Sequence, residues 1–116
     1  MLEYESRKAA MEIRTASDNL RELARRATPG AWRTVPGEDG TTRLLARDDQ
    51  EVAVFTGLWA LPTAQYVTAV APETAYLAAE LMWLSESAVR KGEMPTRLRT
   101  AMHNLAKAFP QDLSAI

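Results

Sequence analysis

The chain has 116 residues, 47% hydrophobic and 25% charged, with 14 Lys and Arg against 15 Asp and Glu and a formal net charge of −1. This is globular composition, enough for one core, and it argues against intrinsic disorder. The absence of cysteine, with His103 as the single histidine, excludes disulfide scaffolds, thiolate metal centres, iron–sulfur clusters and cysteine nucleophiles, and leaves little imidazole chemistry.

The first eight residues mix both charge signs, and no signal-peptide core follows them. No apolar run approaches the roughly 20 residues needed to span a bilayer. The expectation is a cytoplasmic protein without membrane contact.

Apolar residues at Ala9, Ile13, Ala16, Leu20, Leu23 and Ala27 are spaced 4, 3, 4, 3 and 4, one stripe of a long N-terminal helix. Arg14, Arg21, Glu22 and Arg25 occupy its polar face. The stripe suits either a short coiled-coil seam or packing on the body of the same domain. Thr28-Pro29-Gly30 ends the helix, because the residue before proline avoids the α region and glycine accepts positive φ. Trp32 then anchors the first strand, and its reading is core rather than ligand stacking.

Three strands are expected, over residues 31–35, 41–47 and 50–56, joined by a five-residue loop at 36–40 and a two-residue Asp48-Asp49 turn. The apolar connection 58–62 is expected to be covered. Thr63 is a candidate N-cap for a short helix over 64–71. Pro72 opens a second helix to about Arg90, apolar nearly all round, which should be central or buried between subunits. Lys91-Gly92 closes it. A last helix starts at Pro95, with Leu98, Met102, Leu105 and Phe109 at spacings of 4, 3 and 4, and ends at Pro110; 111–116 reads as a tail. The predicted architecture is α+β: a long N-terminal helix, a three-stranded antiparallel sheet and a C-terminal helical layer, as a single domain over 1–110.

Charge is unevenly spread. Residues 61–89 hold three acids and no base, whereas 90–107 hold five bases. The total charge still disfavours nucleic acid as a partner.

Pairing the strands through those turns sets Arg33 opposite Arg43 and Arg43 opposite Val54. One face then carries Trp32, Leu44, Ala53 and Phe55; the other carries Arg33, Arg43, Arg47, Leu45, Val52 and Val54. Opposed like charges are unfavourable. Such a face wants an acidic surface, for example Glu73 and Glu80 of another subunit, or a small anionic ligand whose phosphate or carboxylate the guanidinium groups would chelate. The alternative is a solvated face with long side chains lying over aliphatic neighbours.

Catalytic patterns are missing. His103 has no acid three or four positions away on its helix, and reads as a surface or interface residue. Asp39, Asp48, Asp49 and Glu51 lack calcium-loop spacing and fit turn chemistry. Gly37-Glu38-Asp39-Gly40 lacks the lysine of a phosphate loop, and Ser85 and Ser87 have no adjacent base. Neither a metal nor a cofactor is expected.

Leu20-Arg21-Glu22-Leu23-Ala24-Arg25-Arg26-Ala27-Thr28-Pro29-Gly30-Ala31-Trp32 resembles the opening of small phage and prophage accessory proteins, the ead-like group, in which a Leu-x-x-Leu-Ala helix end runs into Ala-Thr-Pro-Gly-Pro-Trp and then into strands. Thr63-Ala64-Gln65-Tyr66-Val67-Thr68-Ala69-Val70-Ala71-Pro72 is similar to that group's second block. Here Ala31 stands where the group has a second proline, and Pro62-Thr63 where it has an acidic start. The resemblance implies a phage or prophage origin, hence the host cytoplasm, and an accessory role; it brings no catalytic residues.

The expected function is therefore binding without catalysis. Its targets would be a host protein, as counter-defence, or a phosphate-containing signalling nucleotide. In the nucleotide version Arg33, Arg43 or Arg47 meets phosphates and Trp59 or Tyr66 stacks on a base. The alternative is a purely self-associating structural protein, and a homo-oligomer is expected in either case.

Overall fold

The computed structural model describes residues 3–109 and 111–112. The order is α1 (Glu3–Arg26), β1 (Arg33–Pro36), β2 (Thr42–Leu45), β3 (Glu51–Phe55), α2 (Ala60–Ala69), α3 (Pro72–Arg90) and α4 (Thr96–Lys107). The fold is α+β, with a three-stranded antiparallel sheet of order β1-β2-β3. The chain divides into two compact units, Met1–Leu23 with Tyr76–Ile116, and Ala24–Ala75. α4 ends at Lys107, earlier than the expected stop at Pro110; Pro110 and most of the tail lie outside the described residues.

The first unit is helical. Glu3 and Glu5 in the first turn of α1, and Arg25 and Arg26 in the last, match the helix dipole. Its buried line is Ser6, Ala9, Ala10, Ile13, Ala16, Ser17 and Leu20. The residues are mostly small, so a neighbouring backbone can approach closely. Ser17 Oγ donates to the Ala79 carbonyl at 2.6 Å, which joins α1 to α3 through a buried contact. α3 answers with buried Ala79, Met82, Ser85 and Val89, and α4 adds Met102 and Ala106. The expected stripe on α1 holds, although Leu23 and Ala27 are only half-buried. α3 is apolar on both faces, as expected, but it is not central in the single chain: one face is buried, and the other leaves Leu77, Leu81 and Leu84 exposed.

The second unit is the sheet with α2 packed on all three strands. Buried Ala60 and Ala64, four apart, form the contact face of α2. Leu44 and Thr42 are buried on one sheet face, whereas Val54 on the other is 48% exposed, so α2 covers the Leu44 face.

Both hairpins use one device. Thr41 N–H donates to the Glu38 carbonyl across Asp39-Gly40, and Gln50 N–H donates to the Arg47 carbonyl across Asp48-Asp49. Asp39, Asp48 and Asp49 all have positive φ, as two-residue turns of the primed type require. The Asp48-Asp49 turn was expected. The first turn is Asp39-Gly40, not a five-residue loop; Gly37 N–H also donates to the Thr41 carbonyl, so Gly37 and Glu38 together face Thr41 and the register moves by two. Arg33 therefore lies opposite Leu45, and Arg43 opposite Val35; the two arginines are not opposed. A shift of two leaves every side chain on its face. The strands are also shorter than expected, because both turns close before the ladder resumes.

A bulge follows at Leu44/Leu45, where Leu44 pairs with Ala53 but Leu45 pairs with Glu51. A regular ladder would send Glu51 to the same face as Ala53, against the core. The extra residue turns it to the arginine face instead.

α2 begins at Ala60 rather than at Ala64, and Trp59, not Thr63, holds the N-cap position. Pro62 is tolerated because it is the third helical residue, whose N–H would have no intrahelical acceptor. Thr63 N–H makes the first such bond, to the Trp59 carbonyl.

Candidate functional site

Arg33 and Arg43 project from the open sheet face, and both are already partnered. Arg33 Nη2 binds the Asp49 carboxylate, and Nη1 donates to the Ala46 carbonyl. Arg43 Nε donates to Glu51 Oε2 at 2.9 Å. Arg47 is exposed in the second turn, and its Cβ lies beneath Gly30. A shallow groove beside Arg43 is lined by Pro36, Gly37, Glu38, Thr41 and Val54. An entering anion would meet Glu38 and Glu51 as well as the guanidinium, so the net field for a phosphate is weak.

Trp59 is the N-cap of α2 and Tyr66 lies on it, and α2 covers the opposite sheet face. They are seven residues apart, about two turns or ~10 Å along the axis. The arginines and the two aromatics therefore form two separate groups within the unit. Trp59 is 72% and Tyr66 71% exposed, and Leu58, Leu61 and Val70 are also open to solvent. The connection 58–62, expected to be covered, is open except at Ala60: Leu58 is 88% exposed. The helix sequence ALPTAQYVTA contains no charged residue.

Trp32 is half-buried, and its indole N–H donates to the Thr28 carbonyl at 2.9 Å. The bond ties the corner between α1 and β1 to itself, and Trp32 is not the core residue expected.

One pair was invisible to a search along single helices. His103 Nε2 lies 2.7 Å from Glu12 Oε2, joining α4 to α1. Both are about one-quarter exposed, at the edge of an open groove that also touches Glu5, Lys8, Ala9 and Lys107. The pairing orients the imidazole. Chemically the groove offers a carboxylate–imidazole pair flanked by two lysines, with no hydroxyl nucleophile among its lining residues. The sequence signal for it is indirect: Glu12 stands beside the buried Ile13 stripe, and His103 beside the buried Met102, so both lie at the margins of packed faces.

Among the described residues, no helix is long and apolar enough to cross a membrane. No family model, curated protein or solved structure matches the chain.

Proposed function

We propose that the protein acts by binding rather than by catalysis, and that the outer surface of α2 receives a partner protein. The observation that carries this reading is the exposure of Trp59 and Tyr66 on a helix without charge. Tryptophan and tyrosine supply large contact area at small entropic cost and dominate protein interfaces. A contiguous apolar surface of this kind is unfavourable in water unless something covers it. The sheet beneath holds α2 in place, so the surface is preformed.

Internal pairing of Arg33 and Arg43 favours a protein over an anionic nucleotide as the ligand. With the resemblance of the Leu20-to-Trp32 segment to phage accessory proteins, the reading is an accessory protein that engages a host protein.

The test is retention of partners from a bacterial lysate by immobilised chains. A partner held by the unaltered chain and by Leu81→Glu, but lost from the Trp59→Ala/Tyr66→Ala double variant, supports the reading. Equal retention by the double variant refutes it. Both aromatics are exposed, so folding should change by less than about 0.5 kcal/mol per substitution. A thermal-shift screen with cyclic di- and trinucleotides runs beside it. A stabilisation abolished by Arg43→Ala would replace the protein partner with a nucleotide.

A further inference from the structure

We propose that α3 is also a self-association surface, on which a second copy of this chain packs antiparallel about a two-fold axis between Leu81 and Leu84. Leu77, Leu81, Leu84 and Ala88 are spaced 4, 3 and 4, the seam of a coiled coil. The seam lies opposite the buried Ala79, Met82 and Val89, and its three leucines are 67%, 55% and 61% exposed. Core packing therefore does not explain them.

The flanking charges choose the partner and its direction. Glu73 stands in the first turn of α3. Lys91 follows its end, continuing the helical bonding through its N–H to the Ser87 carbonyl. In heptad terms Lys91 falls in the seam, one turn beyond Ala88. Parallel pairing would set Lys91 against Lys91 of the second copy. Antiparallel pairing sets it beside Glu73 of the second copy, and symmetry makes that contact twice.

The same axis places Leu81 against Leu84 and Leu77 against the small Ala88. Glu80 then faces Ser87 rather than another acid. Neither Glu73 nor Lys91 has an ion-pair partner among the described residues. A 19-residue helix is about 28 Å long, which gives an interface at the small end of specific contacts. The dimer is accordingly weak, with a dissociation constant in the micromolar range.

The residues named for this surface and those named for the α2 surface do not overlap, so either proposal can fail alone. Sedimentation of the unaltered chain from low to high micromolar concentration should show a monomer–dimer equilibrium. Leu81→Glu should weaken it by roughly tenfold or more while leaving circular dichroism unchanged. The absence of cysteine makes single-cysteine probes clean. A mixture of Glu73→Cys and Lys91→Cys chains should form a mixed disulfide dimer under mild oxidation, and each chain alone should not. Self-linking of either variant in preference to the mixed product would overturn the antiparallel arrangement. A monomer at every concentration would overturn self-association.

Discussion

At Gly30 two constraints meet. Its φ of +101° lies where side chains are disfavoured, and a Cβ would fall 2.6 Å from Arg47 Cβ. Gly30→Ala should therefore cost about 1–3 kcal/mol, as strain plus a forced shift of the second turn. Gly57 provides the control. It too has positive φ, yet a Cβ there would meet nothing within 4 Å, so Gly57→Ala should cost about 1 kcal/mol. Equal losses in urea denaturation would show that the contact with Arg47 contributes nothing. Ser17 presents a different case, because its hydroxyl is buried and donates to Ala79. Ser17→Ala removes a donor from that carbonyl and should cost about 1 kcal/mol, whereas Ser17→Leu must also force α1 away from α3 and should cost about 2 kcal/mol or more. A smaller loss for leucine than for alanine would mean that the two helices have room to spare.

Among the elements, the bulged hairpin decides what the arginine face can bind. It delivers Glu51 to Arg43 while the second turn delivers Asp49 to Arg33. Such exposed pairs contribute little stability, about 0.2–1 kcal/mol each. Their larger effect is to neutralise the face. Replacing both acids, as Asp49→Asn with Glu51→Gln, should create phosphate-dependent thermal stabilisation that the unaltered chain lacks, and added chloride should weaken it. If the unaltered chain is stabilised by phosphate to the same extent, the internal pairs are not what controls the face. This element also marks how far the sequence could be read. The periodicity of α1, the positive φ of Gly30 and the Asp48-Asp49 turn follow from local chemistry, and the sequence carries them. The register of β1 depended on recognising Asp39-Gly40 as the turn among five adjacent turn-forming residues, and on Gly37 and Glu38 together facing Thr41. The bulge has no local signature, because it arises from keeping a carboxylate out of the core. The pairing of His103 with Glu12 joins helices 91 positions apart, and spacing within one helix cannot reveal it.

For the whole molecule, charge and apolar surface act in the same direction. The net charge is −1 and the sequence pI about 5.8, so mutual repulsion is weak near neutrality and vanishes slightly below it. Leu58, Trp59, Leu61 and Tyr66 in one unit, and Leu77, Leu81 and Leu84 in the other, meet solvent in the single chain. The proposed antiparallel pair through α3 would be built from residues of the second group alone. Without a partner of its own, the α2 surface is free to aggregate. Solubility should therefore pass through a minimum near pH 5.8, at a concentration set by α2 rather than α3. Leu58→Glu removes the most exposed of these side chains and makes the net charge more negative. It should raise the solubility limit across pH 5.5–7, and Leu81→Glu, which adds the same charge on the face that the proposed dimer would cover, should raise it less. Equal gains from the two variants would mean that charge alone governs solubility, and that α2 behaves as ordinary surface.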